Sequence, residues 1–218
     1  MEEKEEERGL LFKYVSDFDT NGIIFWLGTR RGQGSSWENP AEIGLVKLFS
    51  TSLKHDSRPL SSFIGRECVR SVLDDSPGGY IVIDFLTILI RPTNYSLRHY
   101  NSKDSHALRW WNLEGSLDGA EWCCLSEHKN DIALDKRGAS HTWRVDSDRS
   151  FRMFRIRMTG VNSSDHYHNL VCSGFEVYGF VVNAPKALSE QSQSKEFVYQ
   201  SDFDQNGVIY FLGLQGSV

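Results

Sequence analysis

Short apolar segments of strand length recur along most of this chain and are separated by Gly, Asp, Asn, Ser and Pro. They are rich in the aromatic and β-branched residues that favour β-structure, and almost none has the period of an amphipathic helix. This spacing predicts an all-β fold, either an antiparallel β-sandwich or a β-barrel. The segments are LVKLFS (45–50), GYIVIDFLTILI (79–90), YSLRHY (95–100), WWNLEGS (110–116), EWCCLSEH (121–128), HTWRVD (141–146), FRMFRIRMTG (151–160) and CSGFEVYGFVV (172–182).

The chain has 218 residues, and its composition divides it into four parts. Residues 1–9 are predicted to form a charged, disordered arm. Residues 10–182 are predicted to form one folded block that begins with a β-hairpin. Residues 183–196 are polar, hold one Pro and are predicted to be a linker. The last part, residues 197–218, repeats a segment from the start of the block.

The repeat relates residues 12–28 (FKYVSDFDTNGIIFWLG) to residues 197–213 (FVYQSDFDQNGVIYFLG), which match at 11 of 17 positions. A repeat at this long interval indicates tandem domains, with the second domain starting in residues 197–218. The alternative is an extra hairpin that packs on the first domain. If the second domain is incomplete, its apolar stretch VIYFLG can pair with another chain, and a dimer through residues 197–218 is expected.

Each copy of the repeat also contains Asp-x-Asp-x-Asn-Gly, the opening of an EF-hand calcium loop. That loop needs flanking helices and a bidentate acid at its twelfth position, where both copies have Gly. Asn21-Gly22 between aromatic and β-branched flanks instead predicts a β-hairpin turn, with Asp and Asn side chains bonding the turn backbone. Weak calcium binding by Asp17 and Asp19 is the alternative. Apart from that site, we expect no metal and no cofactor.

Charge and cysteine content argue against several classes of protein. The net charge is −5 and Lys and Arg are scattered, so a basic nucleic-acid-binding face is not expected. The N-terminus is charged and no run of 18 apolar residues occurs, which argues against a signal peptide and a membrane span. The four cysteines form no CxxC pair and are expected to be reduced. We therefore expect a cytoplasmic protein, with the nucleus as the alternative.

The segment RWWNLEGSLDGAEWCCL (109–125) resembles the signature strand-turn-strand of discoidin domains, also called coagulation-factor C-type (F5/8 type C) or galactose-binding-like domains. Their pattern, W-x-L-x-G-S-x-D-G-x-x-W, is matched by Trp111, Leu113, Gly115, Ser116, Asp118, Gly119 and Trp122. Four other segments occur in the same order as in the family, namely GGYIVIDF, IRPTNYSLRHYN, FRMFRIRMTG and LVCSGFEVYG. The resemblance covers about residues 40–180 and implies an antiparallel jelly-roll β-sandwich.

The lack of a terminal disulfide and three local motifs indicate one variant of the family. Secreted discoidin domains close their ends with a disulfide, and this chain has no cysteine near residue 40 or 180. SRP…GR, YSLRH and EHKND look more like the intracellular modules found beside BTB domains and in HECT-class ubiquitin ligases. In those proteins the module is thought to hold a protein partner or substrate.

The resemblance thus implies a non-catalytic intracellular module that binds a protein or peptide within a larger ligase or scaffold protein. A carbohydrate- or lipid-binding discoidin domain is one alternative, and a structural spacer in a tandem array is another. No enzymatic activity is expected of this segment, because the sequence has no GxSxG, P-loop or HExxH motif and no GxGxxG at a strand–helix junction.

In this fold, ligands are held by loops at one end of the sandwich, which here correspond to residues 53–62, 63–79 and 99–109, with 162–169 close by. Loops on a rigid scaffold commonly carry binding residues. Arginines beside aromatic residues suit the recognition of carboxylates, so the expected partner is a protein or peptide with acidic groups. The candidate ligand-binding residues are His55, Arg58, Arg66, Arg70, His99, Asn101, His106, Arg109 and His166.

Structural roles compete with this assignment at several positions. Arg58-Pro59 could serve only to open a turn. Arg66 and Arg98 could pair with an internal acid such as Asp84 or Glu176, because a buried Arg needs a partner.

The histidines have structural alternatives as well. His99 and His128 could bond polar groups within the sheet. His166-x-His168 has the spacing of two ligands on one strand face, but no third zinc ligand is identifiable.

Overall fold

The computed structural model describes residues 9–34 and 36–182 of the chain. This part contains nine β-strands, one short α-helix and one 3₁₀ helix. In chain order the elements are β1 (Leu10–Phe12), α1 (Ile23–Gly28), β2 (Lys47–Ser50), the 3₁₀ helix (Leu60–Ile64), β3 (Tyr80–Asp84), β4 (Ile90–Arg98), β5 (Trp111–Ser116), β6 (Cys123–His128), β7 (Ser140–Arg144), β8 (Met153–Met158) and β9 (Gly174–Val181).

The strands form two antiparallel sheets. One has the order β1-β9-β4-β7 and the other has the order β2-β3-β8-β5-β6. Each of the eight strand-like segments of the sequence overlaps one of the strands β2 to β9. The prediction of an all-β antiparallel sandwich is therefore confirmed.

The hydrophobic core lies between the two sheets and draws on both of them. Trp111 and Phe154 come from one sheet, Tyr95 and Phe175 come from the other, and none is more than 1% exposed. Burying one such side chain completely contributes about 1.5–3 kcal/mol. A core of this kind stabilises the domain without disulfides, and all four cysteines are free thiols.

The turn between β5 and β6 has the structure that its sequence predicts. Gly119 adopts a left-handed backbone with φ of 83°, which glycine tolerates without steric cost. The carboxylate of Asp118 accepts hydrogen bonds from the backbone N–H groups of Ala120 and Glu121 at 2.8 and 3.1 Å. Asp118 and Gly119 thus shape the six-residue connection 117–122 that joins β5 to β6.

The predicted N-terminal β-hairpin is wrong. Only residues 10–12 are a strand, and the β-branched stretch after Asn21-Gly22 forms helix α1 instead. A distant residue explains the difference, because the Glu176 carboxylate on β9 accepts hydrogen bonds from the N–H groups of Ile24 and Phe25 at the start of α1. One part of the prediction is confirmed, since Asp19 does bond the turn backbone at Val15, Ser16 and Asn21.

Three predicted parts of the chain fall largely or wholly outside the described residues. These are the charged arm, the linker 183–196 and the repeat in residues 197–218, including the dimer expected through that repeat. Within the described residues, none of the helices is long and apolar enough to cross a membrane.

Candidate functional site

Four loops meet at one end of the sandwich. The strand register places the starts of β3, β5, β7 and β9 and the ends of β4, β6 and β8 at that end. The loops that leave these positions are residues 51–79, 99–110, 129–139 and 159–173, and we call this end the loop end. The loops that the sequence indicates as ligand-binding all belong to it.

Backbone hydrogen bonds tie these loops to one another. They run from Leu73 N to Leu170 O at 3.0 Å and from Ser163 N to Ala107 O at 2.9 Å, and a bond from Arg58 N to Arg70 O at 2.8 Å closes loop 51–79 on itself. Loops cross-linked in this way present their side chains from defined positions, which lowers the entropy cost of binding. The loop end is therefore an ordered surface of the sandwich.

Eight of the nine candidate residues are at least partly exposed. His55, Arg58, Asn101 and His166 are exposed, and Arg66, Arg70, His106 and Arg109 are partly exposed. The side chain of Arg58 forms no ion pair within the described part of the chain. It is therefore available to a carboxylate of a partner.

Arg70 is already held by two neighbours. Its guanidinium forms an ion pair with Asp56 at 3.1 Å and lies 6.0 Å from the ring centre of Tyr100. These contacts fix the side chain at the surface and leave it partly exposed. Arg70 can still contact a ligand, but it offers less net charge than a free arginine.

His106 stacks on the exposed ring of Tyr167, with ring centres 5.8 Å apart. Partial burial lowers the pKa of His106, and the positive charges of Lys103, Lys54 and Arg70 lower it further. The imidazole is therefore neutral at pH 7. The two rings form a flat, partly exposed pair between loops 99–110 and 159–173.

Two candidate arginines are held mainly by intramolecular partners. Arg109 pairs with Asp135 at 2.8 Å, which ties loop 99–110 to loop 129–139. Arg66 lies 3.6 Å from the Glu176 carboxylate and donates to the carbonyl oxygen of Phe18. The expected pairing of Arg66 with an internal acid is confirmed, whereas the other expected arginine, Arg98, donates to backbone carbonyls instead.

His99 is fully buried, so it cannot contact a ligand directly in this conformation. Its Nε2 lies 3.1 Å from the carbonyl oxygen of Lys103, and a carbonyl only accepts, so Nε2 carries the proton. Burial lowers the pKa of His99. His99 therefore has an internal structural role, which is the alternative that the sequence left open for it. It supports loop 99–110 from the inside.

A second buried histidine, His128, belongs to a polar network in the core. Its Nδ1 donates to Asp131 at 2.8 Å, and its Nε2 accepts from the hydroxyl of Tyr95 at 2.7 Å. The indole of Trp111 stacks on the imidazole at 4.1 Å and donates to the same hydroxyl. This is the internal polar bonding that the sequence suggested for His128.

The two metal alternatives have little support in the geometry. His166 is exposed, and His168 lies 3.7 Å from Asp75. No group of three His, Cys, Asp or Glu side chains within residues 9–34 and 36–182 is arranged to hold a metal ion. The Asp17 carboxylate accepts hydrogen bonds from three hydroxyls, and Asp19 caps the turn, so both acids already have structural partners.

Sequence reasoning missed an open cleft beside the loop end. It has a volume of about 640 Å³ and is lined by residues including Trp37, Glu42, Arg58 and Glu67. Its walls come from residues 37–43 and 58–69, which carry no recognisable motif. The cleft extends the surface around Arg58 and mixes both signs of charge.

Comparison with solved structures identifies the class of fold. The chain is similar to the CBM32-3 module of a family 31 glycoside hydrolase from Clostridium perfringens, with a TM-score of 0.53, 15% identity, and coverage of 62% of this chain and 92% of that one. It is also similar to a fucolectin from striped bass (Morone saxatilis) serum, with a TM-score of 0.50, 14% identity, and coverage of 63% and 46%. The chain thus has the discoidin-like, galactose-binding-like β-sandwich fold, which confirms the resemblance seen in the sequence.

Sequence relatives are more specific than the fold. The chain is 34% identical over 198 residues to the E3 ubiquitin-protein ligase hecd-1 of Caenorhabditis elegans and 33% identical over 202 residues to the E3 ubiquitin-protein ligase Ufd4 of Drosophila melanogaster. Each match covers 88% of this chain and 7% of the ligase. A BTB/POZ domain-containing protein of Arabidopsis thaliana is 26% identical over 181 residues, or 77% of this chain and 22% of that protein.

No protein-family model matches the chain. The relatives are nevertheless ubiquitin ligases and a BTB protein, the two settings that the sequence resemblance implied. The chain spans only a small part of each, so the activity of the whole relatives is not carried over to it.

Proposed function

We propose that this chain is a non-catalytic recognition module of a larger ubiquitin-ligase-type or scaffold protein, and that it holds a protein or peptide partner at the loop end. The observation that carries this proposal is the similarity to two E3 ligases over 88% of the chain. Binding modules commonly place their contact residues on loops of a rigid scaffold, as the loop end does. The same relatives support a cytoplasmic location, with the nucleus as the alternative.

The non-catalytic part of the proposal is supported by the burial of the acid–base groups. Asp131, His128 and Tyr95 are linked in the order that a proton relay requires, but Tyr95 is fully buried beneath Trp111 and Trp143. A general base must lie within hydrogen-bonding reach of a substrate. The network is therefore better suited to hold the core than to react.

The partner we propose carries carboxylates. Arg58 is exposed without an ion pair in the described residues, and Lys54 and Lys103 lie on the same loops. Arginine forms directed, charge-assisted hydrogen bonds with carboxylates. An acidic peptide is thus the partner that best fits this surface.

A peptide array tests this proposal. The full chain is screened against acidic, neutral and basic peptides, and bound peptides are titrated by fluorescence anisotropy. We expect Arg58→Glu to weaken binding of acidic peptides at least tenfold, and Lys47→Glu to leave it within twofold, because Lys47 is exposed at the opposite end of the sandwich. Equal effects of the two variants, or no acidic peptide bound, would contradict the proposal.

Carbohydrate binding is the second candidate. The partly exposed stack of His106 and Tyr167 supports it, because a flat ring pair can pack on a sugar, and the fold neighbours are named as a carbohydrate-binding module and a lectin. A glycan array with Tyr167→Ala tests this candidate. Phe49→Ala is the matched control, since Phe49 is 50% exposed and Tyr167 is 47% exposed. Binding lost only in Tyr167→Ala would favour a glycan, and a blank array would remove it.

A further inference from the structure

The N-terminal segment of the described chain lies along the sandwich as a peptide would lie in a binding groove. We call residues 10–28 the docking segment, and we call the surface of β4, β7, β9 and residues 63–69 beneath it the groove. The segment begins as strand β1, which pairs with the edge of β9 from Leu10 opposite Val181 to Phe12 opposite Gly179. It continues through a turn and ends in helix α1.

The turn of the docking segment is held by polar groups of the groove. The Asp17 carboxylate accepts hydrogen bonds from Ser140 Oγ at 3.0 Å and Thr142 Oγ1 at 2.7 Å, both on β7. The next residue, Phe18, places its ring 4.7 Å beneath the guanidinium of Arg98. Each contact needs a particular side chain in the segment.

Helix α1 is held by two charged residues of the groove. The Glu176 carboxylate accepts from the N–H groups of Ile24 at 2.7 Å and Phe25 at 3.1 Å. Arg66 donates to the carbonyl of Phe18 and lies 5.1 Å from the ring centre of Phe25. Arg66 and Glu176 thus hold the backbone of the segment where it enters α1.

Two positions in the docking segment admit only glycine. A Cβ on Gly22 would overlap the carboxyl group of Glu176, and a Cβ on Gly28 would overlap the indole of Trp37. Both are clashes with side chains outside the segment, one in the groove and one in the residues that follow α1, and they do not arise from the backbone conformation of the segment itself. They make glycine at these positions a signature of docking.

Residues 197–213 keep the side chains on which docking depends. Asp202, Phe203, Gly207, Ile209, Leu212 and Gly213 stand where the docking segment has Asp17, Phe18, Gly22, Ile24, Leu27 and Gly28. The three non-conservative differences replace Lys13, Val15 and Thr20, and all three of these residues are exposed. The non-conservative differences therefore fall on exposed residues, and the three remaining differences, at Ile23, Phe25 and Trp26, keep an apolar or aromatic side chain.

We propose that the groove is a peptide-recognition site, and that residues 197–213 of a second copy of this chain are a ligand for it. The peptide class is defined by the spacing S-D-F-D-x-N-G-[IV]-I-x-x-L-G, read by Ser140 and Thr142, Arg98, Arg66 and Glu176. A copy whose docking segment leaves the groove then accepts the equivalent segment of another copy. The groove shares residues 63–69 with loop 51–79 but does not use Arg58, so this proposal does not depend on the proposed function.

Whether this exchange occurs depends on competition between the resident docking segment and the equivalent segment of another copy. The resident docking segment is tethered to the groove, so its effective concentration is in the millimolar range. A segment of equal affinity from another copy therefore competes poorly at micromolar protein. A change that weakens the resident segment alone opens the groove to the second one.

A peptide titration tests the proposal with the full chain. Gly22→Val and Gly207→Val together disable both internal segments, and fluorescein-labelled peptide 197–213 is then titrated by fluorescence anisotropy. We expect saturable binding that weakens at least tenfold when the peptide carries Gly207→Val. A Gln205→Val peptide is the matched control and is expected to bind within twofold, because the equivalent residue, Thr20, is exposed. Equal binding of all three peptides, or of none, would overturn the proposal.

A milder variant covers the case in which the double glycine variant does not fold. Asp17→Ala with Asp202→Ala removes hydrogen bonds without adding bulk, and the same ranking of peptides is expected. Light scattering then tests the second copy as the source. A chain with Gly22→Val alone should show a mass that rises with concentration, and adding Gly207→Val should return it to the monomer mass. Equal masses would contradict exchange between copies.

Discussion

Glu176 is fully buried on β9, yet it is surrounded by hydrogen-bond donors. Its carboxylate accepts from the N–H groups of Ile24, Phe25 and Val177, and Arg66 lies 3.6 Å away. Burial raises the pKa of Glu176 to about 7, although these donors and the guanidinium oppose the shift. A single side chain thus stabilises the start of α1 and fixes the arginine beside it.

Removing that carboxylate should be costly. Glu176→Ala leaves two N–H groups of α1 and the Arg66 guanidinium without their acceptor, and breaking a buried pair in this way costs about 3–5 kcal/mol. We expect a loss of that size in the free energy of unfolding, measured by urea denaturation. Glu121→Ala, at an exposed position, is the control and should change the free energy by less than about 0.5 kcal/mol. A small loss in Glu176→Ala would show that α1 is held by its apolar face alone.

At the scale of elements, the hairpin of β5 and β6 was the easiest to predict. Its turn needs one residue with positive φ, Gly119, and one short acceptor, Asp118, and both are local requirements that the sequence displays. The strands were predictable for a similar reason, because alternation and β-branched residues act over a few positions.

A prediction for this element concerns Gly119. Gly119→Ala keeps the turn sequence otherwise intact but places a Cβ in the left-handed region, which costs about 1–2 kcal/mol. We expect that decrease in the free energy of unfolding by chemical denaturation. Leu117→Ala in the same turn is the comparison, because Leu117 is about half exposed and its loss should cost clearly less. An unchanged stability for Gly119→Ala would mean that the turn relaxes to another conformation.

Helix α1 could not be predicted in this way. Its residues, IIFWLG, have the composition of a strand, and the Asn-Gly before it is typical of a hairpin. The donors at its first turn are satisfied by Glu176, which lies 152 positions away from Ile24 in the sequence. Tertiary contacts of this kind override local propensity.

At the scale of the whole molecule, the sequence predicts which loops share one end of the sandwich better than it predicts which of their side chains are free. Topology brings the predicted loops to one end, and eight of the nine candidates are at least partly exposed there. Whether Arg66, His99 or Arg109 is free depends on partners distant in sequence, such as Glu176 and Asp135. Burial of this kind leaves no signal at the residue itself.

The dependence of folding stability on pH is a property of the whole molecule, because buried histidines and a buried carboxyl group affect it in opposite directions. Burial lowers the pKa of His99 and of His128, so each binds a proton more readily in the unfolded chain. Their contribution to stability is complete above about pH 6.5 and is lost as the pH falls. Glu176 acts in the opposite direction, because its raised pKa gives stability that is lost as the pH rises from about 4.5 to about 7.

The two histidines and Glu176 act in opposite directions between pH 7 and pH 5, so the change in the free energy of unfolding over this range is the difference between their effects. Denaturation at a series of pH values measures this slope. Glu176→Gln removes the opposing group, and we expect its stability to fall more steeply over the same range than that of the wild type. A slope that is unchanged or shallower in Glu176→Gln would contradict the assignment of these three groups.

Hydrogen–deuterium exchange with a bound peptide tests whether the loop end is the recognition surface, because it reports where a partner lies on the sandwich. The full chain is measured with and without an acidic peptide selected on the array. Recognition at the loop end predicts slower exchange in residues 99–110 and 159–173 and in the loop that carries Arg58, with no change in residues 117–122 and 145–152 at the opposite end. Protection confined to the opposite end, or absent from the loop end at saturating peptide, would contradict the account.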